Sequence, residues 1–281
     1  MIGPSVTTIA LAAAAWWLAA LLLGLGNTVG YHRLLTHRSF HTGRAVRWFW
    51  TLLGAMHSGS PLFWVGLHRL HHTKSDGPDD PHSPTRGFWW GHAGWIIGVA
   101  HPVPAALFAF SGFGQQAAIL WMDLKRLAGR NPPVWRGICT DLMEDPLMRA
   151  LDVPLVMPAL FAAQLAAAWL VGGGWGVLWL WSLHLVLTNT SWGVNSICHW
   201  PTFGVAPFEN RDQSRDVWWF AYLTNGEAYH NGHHRWPRSA KHALHGGSDL
   251  SWQVIRLMCA VGLARDPWLP KAFRAGAPAT E

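Results

Sequence analysis

Long apolar stretches alternate with polar stretches rich in histidine along this chain. Residues 9–25 carry no charged side chain. With residues 6–8 they reach the roughly 20 residues that a helix needs to cross a bilayer. Residues 151–171 contain a single charge, Asp152, near their start. Residues 175–198 hold no acid and no Lys or Arg, and the uncharged, glycine-rich residues 172–176 join these two stretches. The pattern predicts one spanning helix over 6–25 and a helical hairpin with arms over 151–171 and 175–198. Two further apolar stretches are interrupted. Residues 46–67 contain Arg47, His57 and the run Ser58-Gly59-Ser60-Pro61, and residues 88–110 contain His92, His101, Pro102 and Pro104. These read as interfacial or re-entrant helices rather than crossings. The expected fold is all-α: a multi-span membrane helical bundle of three spans plus interfacial helices, forming one domain over 1–281.

Charge gives this bundle an orientation. No Lys or Arg precedes Arg33, whereas Arg33, Arg38, Arg44 and Arg47 follow in quick succession and the turn at 172–176 has none. Basic residues collect on the cytoplasmic side of a membrane protein. The N-terminus and that turn are therefore expected outside, with a histidine-rich cap of residues 26–150 and 199–281 inside. The expected location is a membrane, the bacterial inner membrane by this reading, with the active site facing the cytoplasm.

Composition sharpens the picture. Charged residues make up 13% of the 281, against about a quarter in an average soluble domain. Trp (21) and His (17) together outnumber the 36 charged side chains. Trp suits the headgroup layer, where an amphipathic ring is stable. The net charge of +6 then reflects loops beside anionic lipid, and no nucleic-acid partner is expected. The three cysteines are scattered and form no CxxC pair, so neither a disulfide framework nor a thiolate metal site is indicated.

The histidines need a chemical explanation. His32 and His37 form HxxxxH at the end of the first span. His68, His71 and His72 form HxxHH, and His230, His233 and His234 repeat it. Asn195 and His199 close the last span as NxxxH. On an α-helix each HxxHH set stays within about 100° of arc, on one face. His32 and His37 are about 140° apart, so they converge only near a helix end or through a bend. Nine neutral imidazoles are too many for one metal and suit two, and imidazole ligation fits iron, zinc, copper or nickel. There is no HExxH of a zinc protease. A nitrogen-rich pair of redox metals suits O₂ activation, which removes hydrogen from unactivated C–H bonds where acid–base groups cannot. The six histidines His57, His92, His101, His184, His242 and His245 read as ordinary hydrogen-bonded residues. The segment Gly112-Phe113-Gly114-Gln115-Gln116-Ala117 imitates a dinucleotide fingerprint but follows no predicted strand, so no bound nucleotide cofactor is expected.

The order HxxxxH, HxxHH, NSxxH, HxxHH resembles the membrane fatty acid desaturases of the Δ9 (stearoyl) type, from about Gly26 to Asp266. The resemblance extends to Asp80-Pro81-His82, Arg86-Gly87-Phe88-Trp89-Trp90 and Gly226-Glu227-Ala228-Tyr229. It implies two iron ions, with O₂ as co-substrate. The implied ligands are His32, His37, His68, His71, His72, His199, His230, His233 and His234, and Asn195 through a water. Asp76, Asp80 and Glu227 become candidates for holding imidazole N–H groups. Trp64, Ser191 and Trp192 match positions that wall the acyl tunnel of the family.

Substrate and partner follow from the same resemblance. Acyl-CoA members carry Arg-Asp before the second histidine box and a basic pair after the Gly-Trp motif. Here Gly66-Leu67 and Val99-Ala100 stand instead. Phosphates need cationic or backbone donors, so a membrane lipid is expected as substrate in preference to acyl-CoA. The string from Phe63 to His72 is similar to cyanobacterial Δ9 desaturases acting on lipid-esterified chains. The chain has no iron–sulfur, haem or flavin motif of its own. An external electron donor is therefore expected: a ferredoxin, a rubredoxin or a cytochrome-b5-like protein. Arg211, Arg215, Arg235, Arg238 and Lys241 are candidates to receive it. The competing readings are a hydroxylase, acetylenase or decarboxylase on the same metals and, from another class, a histidine-rich metal transporter.

Overall fold

The structure, a computed structural model, describes residues 5–130 and 135–274. The two extremes of the expected 1–281 domain lie outside the described residues. Helix α1 spans Val6–Leu25, where the Ser5 side chain accepts the Thr8 N–H and caps the first turn. It runs without a break into a π-helix over Gly26–Thr36. Strand β1 (His41–Thr42), α2 (Arg44–Ser58) and α3 (Pro61–Lys74) follow. A π-helical turn at Trp90–Gly94 leads into α4 (Trp95–Ile97) and then α5 (Pro102–Ala109). Next come α6 (Gly114–Leu127), α7 (Trp135–Ile138), α8 (Pro146–Leu151) and α9 (Val156–Ile197). The chain closes with α10 (Trp218–Ala221), α11 (His230–Arg235), α12 (Leu250–Ala260) and β2 (Ala264–Arg265). The molecule is mainly helical. β1 and β2 pair antiparallel with His41 opposite Arg265, tying the chain just after the π-helix to the chain just after α12.

Among the described residues, two segments are long and apolar enough to cross a membrane, Val6–Thr36 and Val156–Ile197. The second is folded on itself. Gly173 takes φ 53° and ψ −136°, which breaks the helix. The rings of Phe161 and His184 lie 5.3 Å apart, whereas a straight helix would separate them by about 35 Å. The two arms of α9 are thus the antiparallel hairpin that the apolar pattern predicts. The second arm packs on α1: Trp16 Nε1 donates to Ser182 Oγ at 3.0 Å and Trp179 Nε1 donates to the Ala12 carbonyl at 2.9 Å.

The start of the first arm corrects the sequence expectation. The helix begins at Val156, not at residue 151. Asp152 is buried and accepts from Ser60 Oγ, Trp135 Nε1, Arg126 and Arg136. That network pins the chain in a turn, and Leu155 leaves it with a left-handed φ of 70°. Both interrupted stretches are broken into shorter helices. Residues 46–67 divide at Gly59, after which Ser60 caps α3 and Pro61 fills its first position. The helical pieces Trp90–Ile97 and Pro102–Ala109 meet at 89°. α6 follows a helix and not a strand, so the segment at Gly112 is no dinucleotide turn.

Candidate metal centre

Four elements deliver the histidines: the π-helix, α3, the end of α9 and α11. HxxxxH meets through a device that the sequence did not reveal. In a π-helix the backbone bonds run from i to i+5, so residues five apart stack on one face. The His37 N–H donates to the His32 carbonyl at 3.1 Å and the Thr36 hydroxyl to the Tyr31 carbonyl at 2.8 Å. The His32 and His37 rings then sit 4.8 Å apart. α2 crosses this π-helix so closely that a Cβ on Gly26 would come within 2.5 Å of the Gly54 nitrogen, and one on Gly30 within 2.8 Å of the Trp50 carbonyl. Only glycine admits that approach, which locks the π-helix in place.

The nine imidazoles fall into two groups. His32, His37, His68, His72 and His233 converge in one, and His71, His199, His230 and His234 in the other. In the first group the Nε2 atoms of His233 lie 3.1 Å from His32 and 2.9 Å from His72, and those of His68 and His72 are 3.0 Å apart. In the second, His234 Nε2 lies 3.0 Å from His230 Nε2 and 3.4 Å from His71 Nε2. The helical face argument thus holds for both HxxHH sets, and each set is shared between the two groups.

Carboxylates fix how these rings are used. His71 Nδ1 meets Asp80 Oδ2 at 3.0 Å and His199 Nδ1 meets Asp76 Oδ2 at 3.1 Å. His32 Nδ1 bonds Glu227. A fourth carboxylate, Asp212, takes His234 Nδ1 at 2.6 Å. Sequence reasoning missed Asp212, which lies in an irregular loop 22 residues before its partner, and no spacing pattern points to it. An ionised carboxylate only accepts, so it holds the proton on Nδ1 and leaves Nε2 as a bare lone pair. His71 and His234 then aim two lone pairs at each other across 3.4 Å. His37 Nε2 and His199 Nε2 are buried with no hydrogen-bond partner. Such a set is unfavourable unless a cation lies between the lone pairs. Two nitrogens about 2.1 Å from one cation and at right angles are about 3 Å apart, close to the separations found. The donor set therefore fits metal ions.

The electrostatics agree. Burial first, and the neighbouring imidazoles second, push His68, His72, His230, His233 and His234 well below the ordinary histidine range, which keeps them neutral. Burial works against the Glu227 charge, but His32, His242 and Arg33 outweigh it and hold the carboxyl well below its usual range. Arg33 is fully buried. Its guanidinium donates to Glu227 Oε1 (3.0 and 3.2 Å), to Asp249 Oδ2 (3.2 Å) and to the Ala240 carbonyl (2.7 Å). Of the six histidines expected to be ordinary, His92 is one: it bonds Ser196 and Asn189. His242 is buried against the site, with its ring 4.4 Å from His233 and its Nδ1 3.3 Å from Glu227.

A cavity of about 480 Å³ ends at these groups. Its metal end is walled by His32, His68, His230 and Asn195, and its apolar length by residues of α1, α3, α6 and α9. Trp64, Ser191 and Trp192 all line it, as does Asn195, one helical turn before His199. Trp64 stacks on His68 at 5.0 Å and 22°, and Asn27 Nδ2 donates to Ser191 Oγ at 3.3 Å. A mostly apolar space leading to a cluster of nitrogen ligands can present a hydrocarbon chain to metal ions.

Comparison with known proteins points the same way. A fatty acid desaturase model matches residues 11–255. An sn-1 stearoyl-lipid 9-desaturase of Anabaena variabilis is 35% identical over 245 residues, which cover 86% of this chain and 78% of the relative. An sn-1 stearoyl-lipid 9-desaturase of Synechocystis sp. is 34% identical over 251 residues, 88% of this chain and 68% of the relative. An acyl-CoA C20 Delta5-desaturase of Anemone leveillei is 33% identical over 249 residues, 87% of this chain and 70% of the relative.

Proposed function

Because the chain belongs to the fatty acid desaturase family, we propose that this oxidoreductase introduces a cis double bond, at the Δ9 position, into a saturated acyl chain esterified to a membrane lipid. The observation that carries the reading is the union of two imidazole groups with one apolar cavity. One iron would be held by His32, His37, His68, His72 and His233, and the other by His71, His199, His230 and His234. Two irons held there supply the activation of O₂ that breaking an unactivated C–H bond requires.

The protein's own contribution is position and exclusion. Cavity walls at Trp64, Ser191 and Trp192 hold one methylene pair beside the imidazoles, so the double-bond position follows from how far the chain enters. Glu227, Asp76, Asp80 and Asp212 keep the imidazole protons on Nδ1 and aim each Nε2 inward. Asn195 presents a neutral amide to the same end of the cavity. Electrons come from a separate carrier of ferredoxin, rubredoxin or cytochrome-b5 type. Its receiving face is the cytoplasmic surface with Arg211, Arg215, Arg235, Arg238 and Lys241. The lipid preference over acyl-CoA is supported by Gly66-Leu67 and Val99-Ala100, which offer no cation for a nucleotide phosphate, and by the lipid-acting relatives.

The topology that goes with this reading has three crossings, α1 and the two arms of α9. Residues 26–150 and 199–281 form a cytoplasmic cap of a single domain. α2, α3, α4 and α5 lie at or dip into the membrane surface, because a crossing between His32 and His68 would divide the first metal group. Expression in a host lacking unsaturated fatty acids, followed by lipid mass spectrometry with double-bond location, tests the reaction, its position and the acyl carrier together. Δ9 unsaturation in glycerolipids is the expected result. A hydroxylated product, or none, refutes the proposal.

A further inference from the structure

The cavity has to open somewhere, and the exposure of its wall residues says where. Most of them are buried or half-buried. The exposed ones are Trp17 (66%), Leu21 (37%), Val186 (39%), Tyr222 (66%), Leu223 and Leu250. Trp17 and Leu21 lie one turn apart on α1, and Val186 lies on the second arm of α9. These are the two segments of spanning length, so this side of the cavity faces hydrocarbon. Tyr222, Leu223 and Leu250 stand at its polar end. Tyr222 and the neighbouring Trp218 and Trp219 are exposed aromatic rings of the kind that settle at headgroup depth.

The chemistry of the mouth is equally selective. Among the described residues no Lys or Arg lines the cavity, and the segment from Trp218 to Gly226 carries no charge. A nucleotide thioester would bring several phosphates to a lining that offers them no cation. An acyl chain with a neutral ester needs none. Inside the mouth the seam between α9 and α1 with its π-helical continuation is bridged by two hydrogen bonds, Trp16 to Ser182 and Asn27 to Ser191. The side-chain Oδ1 of Asn27 beside the second bridge is buried and unpartnered.

We propose that the substrate chain enters sideways from the bilayer along the α1–α9 seam, while still esterified to a glycerolipid. Its ester and headgroup rest on the ledge formed by Trp218, Trp219 and Tyr222. This rests on the acyl-lipid reading above and adds the route. The seam bridge Asn27–Ser191 lies between the mouth and the imidazoles, so the chain passes it on the way in.

The test uses the full-length, iron-loaded protein in phosphatidylcholine vesicles doped with a phosphatidylcholine whose stearoyl chain bears a diazirine. Photolysis should label peptides containing Leu21, Val186 and Tyr222 severalfold more strongly than those around Val171, which is exposed at the far end of the hairpin. Leu21→Trp and Val186→Trp should each reduce that label severalfold, together with desaturation of a stearoyl phosphatidylcholine, at unchanged iron content. Val171→Trp should change neither. Even labelling of all lipid-facing peptides, or plugged variants that label and turn over as the parent does, overturns the route. So does desaturation of stearoyl-CoA alone at a rate indifferent to the Trp variants, although the desaturase reading then stands. Labelling at the mouth with no double bond formed in any acyl donor leaves the route standing and removes the desaturase reading.

Discussion

His71 and His234 point their Nε2 atoms at each other across 3.4 Å, each ring held from behind by its own carboxylate, Asp80 and Asp212. The two rings come from α3 and α11, elements more than 150 residues apart in the chain. What aligns them is the pair of Nδ1–H bonds, since an imidazole held on one side cannot rotate its other nitrogen away. The loop that carries Asp212 is therefore part of the site.

Asp212→Ala is expected to weaken metal binding or turnover by about 10–100-fold, the usual cost of losing a partner behind a metal-bound histidine. Asp212→Asn keeps an acceptor oxygen and should lose less. Iron titration of the purified variants, with desaturation rates on the same preparations, decides it. Parent-like iron affinity in Asp212→Ala would show that the carboxylate orients nothing.

The division of the imidazoles into five and four makes a second prediction. His233→Ala removes a member of the first group and His71→Ala one of the second. Each should abolish desaturation and lower bound iron by about one ion per chain, given two ions bound by nine imidazoles. His184→Ala should keep both irons and most of the activity. His184 is buried beside His57, away from either group. Metal analysis that leaves iron unchanged in both ligand variants would dissolve the two-group assignment.

Much of this was legible in the sequence, for local reasons. Apolar runs of spanning length and HxxHH on one helical face are properties of a few consecutive residues. The hairpin at Gly173 could be read from an uncharged, glycine-rich turn between two such runs. What escaped depends on tertiary contact. The π-helix at Gly26–Thr36 is held by α2 packing against Gly26 and Gly30, and helical periodicity assumes an α-helix. Asp212 and His242 reach the site from irregular loops with no repeat to betray them. The late start of α9 at Val156 follows from the Asp152 network, whose partners Ser60, Arg126, Trp135 and Arg136 are scattered over 77 positions of the chain.

Arg33 illustrates how far the site depends on the surrounding fold. Its guanidinium is fully buried between Glu227 and Asp249. Arg33→Met leaves two buried carboxylates without their cation, a change that costs about 3–5 kcal/mol. It also frees Glu227 from one of the contacts that aim it at His32. Thermal unfolding in detergent should show a large loss of stability for Arg33→Met and a smaller one for Arg33→Lys, which keeps the charge but not the forked geometry. A melting curve like the parent's for Arg33→Met would mean that the carboxylates find other partners.

Trp64 stacks on His68 and walls the cavity beside the five-imidazole group. Replacing it with Ala opens space where one methylene pair is to be held. The expected outcome for Trp64→Ala is a mixture of double-bond positions at reduced rate, read by mass spectrometry of the products. A single unchanged position would place the register of the chain under the control of other walls.

Asn195 provides the sharpest separation between binding metal and using it. It sits one turn before His199 on the second arm of α9 and lines the cavity at its metal end. The same cavity is lined by His32 and His68 of the five-imidazole group and by His230 of the four-imidazole group, so the amide shares it with both. Removing it takes away no imidazole and leaves the bonds of His71, His199 and His234 to their carboxylates intact. Asn195→Ala should accordingly keep most of its iron while desaturation falls, whereas His199→Ala should lose iron and activity together. Iron content and turnover measured on the same samples separate the two. If Asn195→Ala turns over at the parent rate, its place at the end of the cavity carries no part of the reaction.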